Sequence, residues 1–345
     1  MRLPCWVSQL ELSMQQHLDD DPPFPPPLAG VRGMLVAAGL GTRLAPLTDL
    51  RPKPVVPVGL RPVAAYMLDH FRVAGITDVV VNLFHLPDVL RDVLTTEATA
   101  TRLSFVQETE LLGTGGGIRH AFRPRSGEDF MVANAKLLFR PALAAAMQRH
   151  QRARAVATMV VKPMPAGASF GAIDVDADGF VRRILDPAPQ PAPGLRRMMF
   201  TGVQVLNEQA HRLLPQRGCV VRDGYRHWLT AGLTIATVVD SAPFWDVGMD
   251  LPTYHQANMA VRSGKFIPLW PQADAAGNLL APGVSLPPSA SIIDSIIGVG
   301  AQVAPDSVGE RLVVWPGAKF SGDHSDAIVT PHGIVPVAAA TAPTP

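Results

Sequence analysis

Residues 31–58 read VRGMLVAAGLGTRLAPLTDLRPKPVVPV, and the order of features in this stretch decides the fold. Residues 31–38 read as a buried strand, apolar from Gly33 onward. Gly39 and Gly41 follow, where backbone N–H groups can approach an anion with no Cβ in the way. Arg43 offers a forked donor for phosphate. Lys53 is a mobile cation in a loop stiffened by Pro52 and Pro54. There is no GK[ST] ending, so this is not a Walker A loop, and Leu44 stands where a dinucleotide fingerprint has its third glycine. A strand, a glycine turn and two cations in this order predict a phosphate-binding α/β domain.

The flanking sequence agrees. The spacing predicts a helix over 62–74, with Val63, Met67, Leu68 and Phe71 on one face, then a strand over 78–83. A short helix over 86–94, a strand over 103–107, a glycine-led helix over 113–122, a strand over 130–134 and a helix over 141–150 follow. Strands alternating with helices imply βαβ units, hence a Rossmann-like, mainly parallel sheet with helices on both faces. Strands over 155–161, 198–206 and 235–239, and a hairpin of 171–174 with 180–184, read as a mixed extension of the same sheet. Beyond Lys265 short apolar pieces recur about six residues apart, which suggests a few turns of β-helix, with irregular edge strands as the other reading.

Composition narrows the function classes. The 345 residues carry 30 basic and 29 acidic side chains, a net charge of +1, so nothing pulls the chain toward nucleic acid or anionic lipid. No apolar run approaches the roughly 18 residues a transmembrane helix needs. The cysteines, Cys5 and Cys219, form no CxxC, and the N-terminus lacks a basic start and continuous apolar core. A cytoplasmic location is the expectation. Many of the 34 prolines cluster at the ends, so 1–30 and 336–345 read as a disordered extension and tail.

The segment AAGLGTRLAPLTDLRPKPVVPV closely resembles the signature of the sugar-1-phosphate nucleotidylyltransferases, or NDP-sugar pyrophosphorylases. Residues 107–118 (QETELLGTGGGI) resemble that family's base-recognition segment, 170–179 (FGAIDVDADG) its sugar-side strand pair, 200–206 (FTGVQVL) the strand facing the sugar, and 244–248 (FWDVG) the segment carrying a metal-binding Asp. The resemblance covers about residues 31–258 and is nearest the mannose-1-phosphate guanylyltransferase and N-acetylmuramate-1-phosphate uridylyltransferase branches. It implies a nucleotidyltransferase domain over 31–265 and a short left-handed β-helix over 266–335. It also implies transfer of a nucleotidyl group from an NTP to a sugar 1-phosphate, in line and without a covalent intermediate. Carried over residue by residue, Ala38, Gly39, Gly41, Thr42 and Arg43 would hold the triphosphate. Lys53 would bridge toward the α-phosphate or sugar phosphate. Glu110, Gly113 and Thr114 would face the base, and Asn134, Gly171, Thr201 and Gly202 the sugar. Asp246 would hold Mg²⁺.

One position departs from the pattern. The family places a second metal-binding Asp after the fourth strand, and here residues 132–136 read Val-Ala-Asn-Ala-Lys, with Lys136 at that place. An ammonium has no lone pair for a hard cation. Three readings stay open. Lys136 stands in for the metal, against the phosphates and paired with Asp246; or the site binds nucleotide or sugar without turnover, as a regulatory subunit; or the side chain points to solvent. Only five of the 30 cations are Lys, which favours a reason for ammonium here. The expected partners are NTP and sugar 1-phosphate, with a homo-oligomer or a catalytic paralogue as the protein partner. His85, His227 and His255 read as structural or surface residues, Trp245 as packing or a pocket wall, and Trp315 as a β-helix corner. The Glu-Lys-Pro expected after the hairpin is absent, and Met249-Asp250 replaces the usual Thr-Pro.

Overall fold

The computed structural model describes residues 27–165, 171–184, 191–269, 274–275 and 277–337. The extension expected over 1–30 therefore lies mostly outside the described residues, as do Phe170, Cys5, the 185–187 segment and most of the expected tail. The chain forms two compact units, one of Pro27–Val56 with Val63–Phe244, the other of Pro57–Pro62 with the described residues from Trp245 onward.

The first unit is built on a nine-stranded sheet. Its elements in chain order are β1 (Arg32–Val36), α1 (Val63–Ala74), β2 (Asp78–Leu83), α2 (Pro87–Glu97), β3 (Arg102–Gln107), α3 (Gly113–Ala121), β4 (Asp129–Asn134), α4 (Leu143–Ala153), β5 (Ala157–Pro163), β6 (Ala172–Val175), β7 (Val181–Ile184), β8 (Arg196–Asn207), α5 (Glu208–Leu213), α6 (Arg226–Thr230) and β9 (Ile235–Val239). The strand order is β7-β6-β8-β4-β1-β2-β3, with β5 pairing β8 and β9 pairing β5. β3, β2, β1 and β4 run parallel, whereas β8 is antiparallel to β4, β5 and β6. This is the Rossmann-like core with a mixed extension that the sequence pattern implies.

Period-two alternation explains why β1, β2 and β4 carry apolar residues on both faces. Leu35, Val79, Val81, Met131 and Ala133 join one core cluster with Met67, Phe71 and Leu90 from α1 and α2. Their neighbours Met34, Val80, Phe130 and Val132 join a second cluster with Ile118 and Phe122 on the opposite face. A strand covered on both faces has no place for polar alternation. Gly33 is needed for closeness: a Cβ there would lie 2.9 Å from both Ile76 and Phe71.

The chain leaves β1 toward β2 on one side, while β4 lies on the other. The carboxyl ends of β1 and β4 thus flank a topological switch point, where open α/β sheets form their ligand crevice.

In the second unit the helix Leu251–Arg262 starts at Asp250, whose carboxylate accepts the Thr253 N–H at 2.8 Å. That N-cap gives the physical reason for Asp250 in the sequence. Tyr254 from this helix donates to the Pro57 carbonyl at 2.6 Å and accepts the Trp315 indole N–H at 2.9 Å, so the fully buried Trp315 ties the helix to the strands that follow. Those strands are short and parallel. Leu279, Ile296, Val313 and Ile328 stand in register on one side, and Ser291, Val308 and Asp323 on another. This is the β-helix of the hexapeptide reading. Asp294, Arg311 and Asp326 turn its corners with φ of 53°, 52° and 47°, and Arg311 holds Asp326 through Nε and Nη2 at 2.7 and 2.6 Å. The strand Gly333–Pro336 folds back antiparallel on Ala327–Thr330 and covers the last rung. Among the described residues no helix is long and apolar enough to cross a membrane.

Candidate nucleotide site

The glycine turn leaves the carboxyl end of β1. Ala37 donates its N–H to Asn82 Oδ1 at 2.8 Å, which fixes where the turn begins. Gly39 is open: a Cβ there would meet nothing within 4 Å. Gly41 is closed, with φ at 73°, and a Cβ would lie 2.7 Å from Thr48 Cγ2 and 3.3 Å from Lys53 Cε. Gly41 therefore lets the Lys53 stem lie against the turn. Lys53 opens a 3-10 turn, Lys53–Val55, held by Pro52 and Pro54. Thr42 and Arg43 are exposed in the 3-10 turn Thr42–Leu44. Ala38, Gly39, Gly41, Thr42, Arg43 and Lys53 thus occupy one loop system at one end of the sheet.

Asn134 ends β4 beside Val36, and Ala135 donates its N–H to the Val36 carbonyl at 3.1 Å. Gly202 lies under Asn134, where a Cβ would come within 2.3 Å of Nδ2. The register of β8 against β5 shifts between Phe200 and Gln204, so Thr201 and Gly202 form a bulge. Gly202 takes φ of 90° in it. Thr201 is buried, and its hydroxyl donates to the Val160 carbonyl at 2.8 Å, inside the bulge. Gly171 is exposed just before β6. Buried Asp174 accepts Arg197 Nε and Nη2 at 2.8 and 3.0 Å, so Arg197 has a structural partner.

The segment after β3 is more tightly built than the sequence shows. Glu110 is exposed and pairs with Arg217 at 3.0 Å. Glu108, which sequence reasoning did not single out, is 2% exposed, accepts Asn82 Nδ2 at 2.6 Å on one oxygen and accepts the Leu112 N–H at 3.1 Å on the other. Its only sequence signal is an acid directly after a strand. The glycine run packs against the 215–220 loop. Gly115 and Gly116 donate their N–H groups to the Gly218 carbonyl at 2.9 and 3.4 Å, and a Cβ on Gly113 would lie 2.6 Å from that oxygen. Thr114 accepts the Val220 N–H at 2.9 Å. Two N–H groups in the first turn of α3 are therefore taken by its own chain.

Asp246 falls in the second unit, where its carboxylate accepts the Gly248 N–H at 3.0 Å. Lys136 is half-buried in the turn between β4 and the strand Leu137–Phe139. Among the described residues, no group of three or more His, Cys, Asp or Glu side chains gathers to hold a metal. With an ammonium at this turn the donor set does not fit a divalent cation.

A glycine turn and a cationic loop at a topological switch point are the parts of a phosphate-binding α/β domain. A family model described as nucleotidyl transferase matches residues 32–216, and the chain belongs to that family. Its curated relatives are sugar-1-phosphate nucleotidyltransferases. It is 26% identical to a UTP–glucose-1-phosphate uridylyltransferase of Synechocystis over 68% of this chain and 64% of that one. It is 25% identical to a mannose-1-phosphate guanylyltransferase of Mycobacterium tuberculosis over 84% and 81%. The match thus spans a little under two thirds of the Synechocystis relative. Among solved structures, HddC from Yersinia pseudotuberculosis, complexed with GMP-PN, shares the fold, with a TM-score of 0.56 and 20% identity over 66% of this chain and 98% of that one.

Proposed function

We propose that the protein transfers a nucleotidyl group from an NTP to a sugar 1-phosphate, releasing pyrophosphate, with residues 31–265 as the transferase domain and 266–335 as an appended β-helix. The observation that carries this reading is the loop system of Gly39, Gly41, Arg43 and Lys53 at the switch point of a nucleotidyl transferase fold. A sugar phosphate oxygen forms the new bond to the α-phosphorus, and the bridging oxygen to the β-phosphorus leaves with pyrophosphate. The chain's part is positioning and charge compensation. Backbone N–H groups of the turn and the Arg43 fork bind the triphosphate, and Lys53 offsets charge on the reacting phosphates. Titration calorimetry with the four NTPs tests the reading. Saturable binding of at least one, lost in Lys53→Ala, is expected; binding of none overturns it.

Lys136 favours a second reading, a nucleotide-sugar-binding subunit without turnover. It predicts NDP-sugar binding with no pyrophosphate release from any substrate pair.

A further inference from the structure

We infer that Asn82 and Glu108 are a buried positioning pair that locks the phosphate turn and the base-side segment together, so that a nucleoside triphosphate meets both at once. The inference rests on the function proposed above and adds two residues to it.

The chain of contacts is continuous. The Ala37 N–H, where the turn leaves β1, reaches Asn82 Oδ1 at 2.8 Å. That bond forces the amide of Asn82 to present its NH₂ to Glu108, at 2.6 Å. The second oxygen of Glu108 takes the Leu112 N–H at 3.1 Å, where the glycine-led segment begins. Both side chains are almost wholly buried, at 1% and 2% exposure. Gly117 leaves room for them, since a Cβ there would lie 2.7 Å from Asn82 Nδ2 and from Glu108 Oε1.

Two points favour positioning over mere packing. A buried carboxylate is a poor way to gain stability, because an apolar side chain of similar volume would do as well. And both ends of the relay donate inward, with the Glu108 carboxylate as the common acceptor, so the Ala37 bond dictates which atom Asn82 turns to Glu108. Each end of the relay adjoins residues that the family resemblance assigns to the nucleotide, Ala38 and Gly39 after Ala37, and Gly113 and Thr114 after Leu112.

The polarity supplies the test. In Asn82→Asp, two acceptor oxygens face each other. In Glu108→Gln, the new NH₂ opposes either the Asn82 amide or the Leu112 N–H. In the double variant N82D/E108Q all three bonds can form again, because the new carboxylate accepts from Ala37 and from the new amide, whose oxygen accepts from Leu112. Backbone hydrogen exchange of the ligand-free protein is read at Ala37 and Leu112, and affinities for NTPs and sugar 1-phosphates are read by calorimetry. Each single variant is expected to speed exchange at both amides and to weaken NTP binding, each by about tenfold or more. The sugar 1-phosphate affinity stays within about twofold, and the double variant returns near the wild type. Single variants that free only their own bonded amide, or a double variant worse than either, would overturn the pair. If the single variants do not fold, a folded and protected double variant still supports it, and an unprotected one overturns it. If the wild type binds no NTP, the proposed function falls, while coupled amide loss with rescue still supports the relay.

Discussion

Replacing Gly116 by Ala sets two effects against each other. Within a helix the change ordinarily stabilises by about 0.5–1 kcal/mol, because glycine loses more backbone entropy on folding. In α3 the new methyl would lie 2.5 Å from the Gln216 carbonyl oxygen and 3.0 Å from Arg217 Cα. Both are backbone atoms that cannot rotate away, so the 215–220 loop must shift by several tenths of an ångström. The bonds Gly115 N–H to Gly218 O at 2.9 Å, Gly218 N–H to Leu112 O at 2.8 Å and Val220 N–H to Thr114 Oγ1 at 2.9 Å hold that loop on the helix. At about 1 kcal/mol each, losing all three costs about 3 kcal/mol. Less the helix gain, the net loss is about 2 kcal/mol. For a unit of this size that is roughly 4–8 °C in the unfolding midpoint. Thermal unfolding followed by circular dichroism reads it directly. A variant as stable as the wild type, or more so, would refute the claim that the glycine run exists to admit the loop.

Other substitutions separate fold from ligand. Gly39→Ala meets no atom and should leave the midpoint within about 1 kcal/mol while weakening NTP binding in calorimetry. Gly41→Ala, at φ of 73° and 2.7 Å from Thr48, should lose stability as well, and equal stability of the two would contradict the geometry. His70 is held down to about 4, first by burial and then by the Arg140 charge. The unfolded chain takes up that proton near pH 6.5 and the folded protein only near 4, so stability is complete above 6.5 and falls across this window, by about 3 kcal/mol at most. Urea midpoints at pH 7, 5.5 and 4.5 should show the fall, and His70→Gln should flatten it. Asp250→Ala should cost about 1 kcal/mol through the lost cap, with Asp250→Ser retaining most of it in urea unfolding.

Most of the parallel core was legible because both faces of its strands are covered. The runs at Met34–Leu35 and Val79–Val81 carry no polar alternation to obscure them. The turn was legible because glycine and proline fix backbone shape locally. The helices Glu208–Leu213 and Arg226–Thr230, and the π-helical turn Val220–Tyr225 before the second, were not anticipated. They are too short to show a period, and Tyr225 and Trp228 are set by packing in the second core cluster. The bulge at Thr201 and Gly202 is a register shift between two strands, and one strand's sequence does not show its partner. Glu108 was hidden for the same reason. One of its donors, Asn82, comes from the neighbouring strand, and only the fold brings it to Glu108; the other, the Leu112 N–H, lies four residues on in the same loop.

Pyrophosphate release across four NTPs and a panel of sugar 1-phosphates, with Mg²⁺ and with EDTA, tests the central claim most directly. Release from one pair, lost in Lys53→Ala, is the predicted result; its persistence in EDTA would assign the missing cation's work to Lys136. Silence across the panel, with an NDP-sugar still bound, would contradict catalysis and leave the chain a binding subunit of its family.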